Sequence, residues 1–367
     1  MSCLILLPVA LLVASVAAQT STDCNPLNAT CPIDAALGTT YNSTFSASTT
    51  ELNTDLWNVT AGGEAIQFSD NGAALVISAS GDSVTAQSTF YMNFGTVEII
   101  MQAAAGQGII STFNLLSDDL DEIDLEIMGG NESYVESNWY GHGNTSQFNA
   151  KYHACDGPQL KTHNYTINWT KEQLEWIIDG TVARTVPYAA SGLYPQTPSM
   201  LKFGIWAGGD SSEPNGTIEW AGGLTDWSKG PFTMIVQSIK ITDASTNTTS
   251  YAYGDQTGDY SSITSVSGES EAYKQLNKQS TVESVAKKWS SLSTGAKIGI
   301  ASAVGGTLLI AFIGLTTFCI IQRRRGKRER AAADQQWDEN TAELMAYRNR
   351  MAKGEFAVSS MGHGEKF

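Results

Sequence analysis

Residues 121–128 read Asp121-Glu122-Ile123-Asp124-Leu125-Glu126-Ile127-Met128. From Glu122 onward acidic and aliphatic side chains alternate strictly, which is the period of a β-strand and not of a helix. On a strand, Glu122, Asp124 and Glu126 share one face. Ile123, Leu125 and Ile127 share the other, which a core must cover. On a helix, Glu122 and Glu126 would lie one turn apart, where like charges are destabilising. Working outward, short alternating or β-rich runs recur at 73–79, 95–103, 163–169, 174–185, 201–207 and 232–242, separated by Gly, Asn, Asp and Ser. Within one of them, Ile178-Asp179-Gly180-Thr181 reads as a hairpin turn with Asp-Gly at its centre. Runs this short and this numerous between residues 40 and 245 predict an all-β domain, two antiparallel sheets packed face to face as a sandwich.

Three carboxylates in a row on one face repel one another and raise at least one pKa, so the arrangement costs stability and calls for a functional reason. A solvated acidic face is the plain alternative. A calcium loop is a second, but neither a loop starting at Asp119 nor one starting at Asp121 has the required Gly at its sixth position. Glycoside cleavage needs this combination, one carboxylate ionised and one protonated near the working pH. The Cα atoms of Glu122 and Glu126 lie about 13 Å apart on a straight strand. A retaining mechanism holds its two carboxyl groups about 5–5.5 Å apart, so the side chains must converge across Asp124 or the strand must bend. An inverting pair would need less convergence.

The ends of the chain fix its compartment. Residues 4–16 are an unbroken apolar run, too short to span a bilayer, and Val16-Ala17-Ala18 offers small residues for cleavage. Residues 1–18 are therefore expected to be a signal peptide. Residues 298–321 hold no charge, and at about 1.5 Å per residue they reach about 36 Å, enough to cross a membrane as a tilted helix. The basic block 323–330 follows at once and is expected to stay in the cytoplasm, with the N-terminus outside. A GPI anchor is the alternative, disfavoured because 46 residues follow the apolar run. Residues 254–297, rich in Ser, Thr and Gln, read as a flexible stalk, and 322–367 as a cytoplasmic tail.

Nine glycosylation sequons, at Asn28, Asn42, Asn58, Asn131, Asn144, Asn164, Asn168, Asn215 and Asn247, all precede the apolar run. Cys24 and Cys31, close in sequence and extracellular, are expected to form a disulfide, which leaves Cys155 unpaired. No cysteine spacing suits zinc, and no metal or cofactor is expected. Residues 1–297 carry 30 acidic and 12 basic side chains against 7 and 10 in residues 298–367. That acidic portion excludes a nucleic-acid binder, which needs a basic footprint. Nine Trp, 13 Tyr and 12 Phe supply enough large apolar surface for a core, which excludes a disordered chain.

The run Asp121-Glu122-Ile123-Asp124-Leu125-Glu126 closely resembles the signature of glycoside hydrolase family 16. Cys24-Asn25-Pro26-Leu27, Cys31-Pro32, His163-Asn164-Tyr165-Thr166, Trp176 with Ile178-Asp179-Gly180, Arg184, Gly204-Ile205-Trp206-Ala207 and Thr217-Ile218-Glu219-Trp220-Ala221-Gly222-Gly223 narrow it. Together they are similar to the fungal Crh branch, cell-wall transglycosylases that join chitin to β-glucan. The resemblance runs from about Cys24 to Asp243 and implies a jelly-roll sandwich with a sugar cleft on its concave sheet, over a catalytic domain spanning 19–253. It implies that Glu122 is the nucleophile, that Glu126 is the acid/base, and that Asp124 tunes the nucleophile.

Sugar rings present apolar faces, so aromatic rings commonly line their clefts. Lys202 and Trp206 share a strand face, with Gly204 between them expected to leave room for ligand. These two residues and Thr217 match sugar-contacting positions of the resembling enzymes, and Glu126 itself is expected to touch the sugar. Trp139 and Tyr140 stand where the branch more often has Tyr and Phe, and His142 where it more often has Lys. Trp139 and Tyr140 are expected to contact substrate, and His142 to be a loop residue. Trp169 and Trp176 read as core or back-face residues. The expected activity is retaining transfer of chitin to β-glucan by a monomer. The alternatives are a chitin or β-glucan hydrolase with the same triad, and a non-catalytic wall-binding or sensor protein.

Overall fold

A computed structural model describes residues 21–146, 148–189, 193–278, 290 and 292–353, the side chains of 298–313 excepted. The expected signal peptide, most of the segment 279–291, and the last residues of the tail lie outside that range. The strands in chain order are β1 (Asp34–Ala35), β2 (Thr40–Thr44), β3 (Trp57–Ala61), β4 (Ile66–Ser69), β5 (Gly72–Ile77), β6 (Ser83–Ser88), β7 (Gly95–Gln102), β8 (Ile109–Ser117) and β9 (Glu122–Met128). They continue as β10 (Tyr134–Tyr140), β11 (Lys151–Ala154), β12 (His163–Trp169), β13 (Gln173–Ile178), β14 (Thr181–Pro187), β15 (Ser199–Ala207), β16 (Phe232–Asp243), β17 (Thr248–Tyr253) and β18 (Ile263–Ser267). Helices α1 (Asn215–Trp220), α2 (Glu271–Leu276) and α3 (Thr294–Ala352) complete the fold.

Two antiparallel sheets form the expected sandwich. One has seven strands in the order β11-β10-β9-β8-β15-β6-β3. The other has eight, β14-β13-β12-β7-β16-β5-β4 with β2 beside β16. The facing side chains are those the alternation assigns inward. Phe113 and Leu115 from β8, Ile123, Leu125 and Ile127 from β9, and Leu201, Phe203 and Ile205 from β15 meet Val97, Ile99, Met101, Tyr165, Ile167, Trp176, Ile239 and Ile241, all buried in one core. The Asp-Gly turn is present. Asp179 and Gly180 have φ of 49° and 78°, both in the left-handed region, and join β13 to β14 with Ile178 opposite Thr181. Two positive φ values in a two-residue loop match the right-handed twist of the strands they connect.

Two contacts, one buried and one half-buried, tie the sheets together beneath the carboxylate strand. Trp176 on β13 donates its Nε1–H across the core to the carbonyl of Asp124, 2.9 Å away. The Arg184 guanidinium lies 5.0 Å over the Trp176 ring and donates to the Ser137 carbonyl and hydroxyl at 3.0 and 2.8 Å. Trp169, also buried, donates to the Pro195 carbonyl.

The folded domain does not stop at residue 253, where the stalk was expected to begin. β17 pairs with both β1 and β18 in a small third sheet. Tyr260 packs its ring against Phe94 and Tyr188, and Ala272 on α2 is buried. Ser270 caps α2 through the Tyr273 N–H and donates its hydroxyl to the Leu37 carbonyl at 2.6 Å. A polar, Ser-rich composition hid this segment, because it holds itself by strand pairing and one capped turn and not by an apolar run. The Cys24–Cys31 disulfide is formed, and Cys155 is a free, buried thiol 3.7 Å from the Tyr165 hydroxyl. None of the nine sequon asparagines is buried.

Helix α3 belongs to a second unit of the chain. It begins with Ser293 accepting the Ala296 N–H and includes the apolar run 298–321, of which the side chains of 298–313 lie outside the described residues. Among the described residues no helix is long and apolar enough to cross a membrane. The expected stalk, span and cytoplasmic tail therefore have no structural support here beyond the helix itself.

A group of buried acids predicts how stability varies with pH. Burial, with Asp118 and Asp119 nearby, pushes the Asp34 carboxyl up to about 8. Burial and Asp119 hold Asp121 well above the usual carboxylate range. Such groups bind their protons more tightly in the folded state than in the unfolded one, where an Asp titrates near about 4. Their stabilisation is complete below that value and is lost as pH rises through the folded pKa. The unfolding midpoint of the domain is therefore expected to fall by several degrees between pH 5 and pH 8. Asp34→Asn should flatten the upper part of that fall. A thermal-melt series in which the midpoint rises over this range would contradict the assignment.

Candidate active site

Because β9 is an interior strand, the antiparallel register decides what stands beside each carboxylate. Tyr140, Asn138 and Glu136 on β10 lie opposite Glu122, Asp124 and Glu126. On the other flank, Asn114 and Thr112 on β8 lie opposite Asp124 and Glu126, with Lys202 and Gly204 of β15 next in line. Directly opposed residues on antiparallel strands share a face. The outer face of the seven-stranded sheet is therefore a polar floor, and above it opens a cleft of about 840 Å³. That size suits a small-molecule or oligosaccharide site. Glu122, Asp124, Glu126, Glu136, Asn138, Tyr140, Trp206, Thr217 and Trp220 all line it.

Trp206 and Trp220 stand at the wall with their rings stacked at 6.0 Å and 23°. Helix α1 carries Thr217 and Trp220 to that wall, and the Trp220 Nε1–H donates to Glu136 Oε2 at 3.0 Å. Gly204 does not leave room for ligand. A Cβ there would meet the Val84 carbonyl oxygen at 2.2 Å, so the glycine permits close approach of β6.

The three carboxylates differ in electrostatics although they are two residues apart. Burial raises all three. For Glu122 the rise is opposed by the Asn114 amide, which donates to Oε1 at 2.8 Å, by a hydrogen bond with Asp124 and by the Lys202 ammonium. For Asp124 burial is reinforced by Glu122 and Glu126, and the hydrogen bond to Glu122 favours its protonated form, so Asp124 is held well above the usual range. For Glu126 burial is reinforced by Glu136 and then by Glu122, again well above. The site therefore favours the anion on Glu122 over one on Asp124 or Glu126. Like charges this close cannot all form together.

The amino-acid sequence matches the model of the glycosyl hydrolases family 16 over residues 53–222. Crh-like protein 3 of Aspergillus fumigatus is 44% identical over 352 residues, covering 94% of this chain and 94% of that protein. Congo red hypersensitive protein 1 of Saccharomyces cerevisiae is 42% identical over 242 residues, covering 65% of this chain and 46% of its own length. A solved Crh5 transglycosylase in complex with NAG superposes with a TM-score of 0.62 at 44% identity, covering 66% of this chain and all of that one.

The chain belongs to glycosyl hydrolase family 16.

It falls among the family's Crh-like members and is an enzyme of the glycosidase and transglycosylase class. Within this family 16 domain the expected substrate residues do not all reach the cleft. Trp206, Thr217 and Tyr140 line it. Lys202 shares the face by register and acts on Glu122 through its charge. Trp139 is a correction. Alternation along β10 turns it to the opposite face from Tyr140, where it packs against the core. Two adjacent strand residues cannot both face the cleft.

His142 does not line the cleft either. In the loop after β10 its Nε2 stands 3.8 Å from Asp119 Oδ2 and 4.0 Å from Asp121 Oδ1. These three residues bring ligand-type atoms within 4.8 Å of one another. Asp119 Oδ2 and His142 Nε2 are buried without a hydrogen-bond partner among the described residues, while Asp119 Oδ1 and both Asp121 oxygens are used locally. Asp121 accepts from the backbone N–H groups of His142 and Gln196, Asp119 accepts from the Ser117 hydroxyl, and the Thr197 hydroxyl lies within hydrogen-bond distance of both carboxylates, with one proton to give. The cluster fixes the turn that leads into β9.

Sequence reasoning missed Asn114, Glu136 and Asn138 and assigned no role to Trp220. Period-two alternation over 134–140 would have grouped Glu136, Asn138 and Tyr140. Nothing in the sequence sets them against the carboxylate strand in that register.

Proposed function

We propose that this enzyme is a retaining transglycosylase that cleaves chitin and transfers the fragment to β-glucan. The observation that carries this reading is the graded set of carboxylates on one strand face, one favoured as the anion and two as acids, beneath an aromatic wall. Glu122, as carboxylate, attacks the anomeric carbon while Glu126 gives its proton to the glycosidic oxygen, and the bond to the leaving chain breaks. The glycosyl-enzyme ester then meets an acceptor hydroxyl. Glu126, now a carboxylate, takes the hydroxyl proton as the acceptor oxygen bonds to the anomeric carbon and Glu122 departs. The Asp124 proton is shared with Glu122 in the ground state, stabilising its charge. Trp206 and Trp220 offer their rings to sugar faces, and Thr217 supplies a hydroxyl beside them.

Chitin as donor is favoured by the likeness to a Crh5 transglycosylase solved with NAG. In this reading residues 1–18 are removed on secretion, the sequon asparagines carry glycans, and residues 298–321 span the membrane. The catalytic domain then faces the cell wall and 322–367 the cytoplasm.

The test is incubation of the purified full-length chain with a chitin oligosaccharide and a fluorescent β-1,3-glucan acceptor. The expected result is a fluorescent product of higher mass whose new linkage keeps the donor's anomeric configuration by NMR. Shortened donor without labelled product would make the protein a hydrolase. A folded chain that retains chitin without cleaving it would make it a wall-binding protein.

A further inference from the structure

We infer that Glu136, a fourth carboxylate outside the catalytic triad, is a positioning residue that holds the proton on Glu126 and links it to the aromatic wall. The inference rests on the reading of Glu126 as acid/base and goes beyond it. Glu136 lies directly opposite Glu126 across the β9–β10 ladder. Side chains so placed have Cβ atoms about 4.5–5.5 Å apart. Glu136 is only 2% exposed: its Oε2 accepts from the Trp220 indole N–H at 3.0 Å, and Tyr152 stands directly opposite it on β11. Burial raises the Glu136 pKa and the Trp220 indole N–H opposes that rise, holding the carboxylate form beside the next acid.

The groups facing Glu126 can be counted from each element. Its own strand brings Glu122 and Asp124, β10 brings Glu136 and Tyr140, β11 brings Tyr152, and β15 brings Lys202. Asp82, Asp210 and Glu213 stand at the rim of the cleft. Lys202 is the cation of this set, and it acts on Glu122. Among the anions Glu136 raises the Glu126 pKa more than Glu122 does. Catalysis needs Glu126 protonated when the donor bond breaks and ionised when the acceptor arrives. A neighbouring charge that lifts its pKa widens the pH range over which the first step proceeds.

The same carboxylate fixes Trp220, whose ring stacks on Trp206. A sugar that presses on this stack therefore bears on the Trp220–Glu136 hydrogen bond, which steadies the Glu136 charge. Occupancy of the aromatic wall and the protonation of Glu126 are in this way coupled through a single side chain.

The test uses the full-length chain as wild type, Glu126→Gln and Glu136→Gln, each labelled with carbon-13 at the glutamate carboxyls. Glu136→Gln is isosteric and keeps an oxygen for the Trp220 N–H. The Glu126 resonance is identified by its absence from Glu126→Gln, and its titration is followed directly, so the reading does not depend on turnover. In Glu136→Gln the Glu126 midpoint is expected to fall by about one pH unit, the lower end of the effect of a like charge at this range. The basic limb of the donor-cleavage profile should move by the same amount. An unmoved midpoint overturns the inference, and so does a fall in melting temperature or a rise in KM without a shifted limb, which would mark a structural role. Retained activity in Glu126→Gln would overturn the acid/base reading itself. A silent Glu126→Gln beside an unshifted Glu136→Gln would overturn only the role of Glu136.

Discussion

Glu122→Gln is expected to abolish turnover while leaving the domain folded. The amide is isosteric and keeps an oxygen to accept the Asn114 amide at the position where Glu122 Oε1 now accepts it at 2.8 Å. What it loses is the anion. Of the three strand carboxylates this is the one whose ionised form is held by an amide, by a protonated neighbour and by the Lys202 ammonium. Gln cannot form the ester with the anomeric carbon, and Asp124 and Glu126 are poor replacements, since burial and like charges disfavour their anions. Loss of a nucleophile in covalent catalysis costs on the order of 10⁶-fold in rate. The variant should melt near the wild-type temperature, because relief from burying the Glu122 charge is set against loss of its attraction to Lys202. Rates of donor cleavage in the two proteins, with near-ultraviolet circular dichroism as the control for folding, check the prediction. A variant that retains a tenth of the activity would remove Glu122 from the chemistry.

Trp176→Ala is expected to cost the most stability of any single change beneath the site. The ring is fully buried between the sheets, so its loss removes apolar contact and leaves a cavity, worth about 3–5 kcal/mol. It also takes away the Nε1–H donor from the Asp124 carbonyl and the surface on which Arg184 rests. Trp176→Phe separates these effects. It keeps most of the ring and leaves the carbonyl short of a donor, at about 1–3 kcal/mol. Melting temperatures should fall in the order wild type, Phe, Ala. Donor cleavage by the Phe variant should fall as well, since the bond it loses anchors the middle residue of the carboxylate strand. Equal melting temperatures for all three proteins would show that the strand is held by its ladder alone.

Much of the fold was legible because β-strands announce themselves by period two. The run 163–169 coincides with β12, and 174–185 resolves into the β13–β14 hairpin at the Asp-Gly turn. β8 was missed for the opposite reason. Every residue from Ile109 to Ser117 is buried, since one face meets the core and the other is covered in the cleft, and a strand buried on both sides shows no alternation. The third sheet was missed because residues 254–278 hold themselves by strand pairing, a capped turn and a few scattered apolar contacts such as Tyr260 and Ala272, which leave no periodic apolar pattern. Trp139 was misassigned because two adjacent aromatics suggested a pair of sugar contacts, whereas a strand sends neighbours to opposite faces.

By itself the sequence determined the all-β class, the three carboxylates on one strand face, the proximity of Cys24 and Cys31, and the family signature. Each is a local property, a matter of spacing along a few residues, and local spacing survives whatever the rest of the chain does. The tertiary structure decided which partners the carboxylates meet. Asn114 steadies one of them, Lys202 lends it a cation, and Glu136 lifts another's pKa, from positions up to 80 residues away along the chain. Sheet register sets these pairings, and register is a global outcome of packing two hydrophobic faces together. The strand's chemistry was thus written in its own residues, while the order in which its acids give up their protons is set by neighbours that only folding supplies.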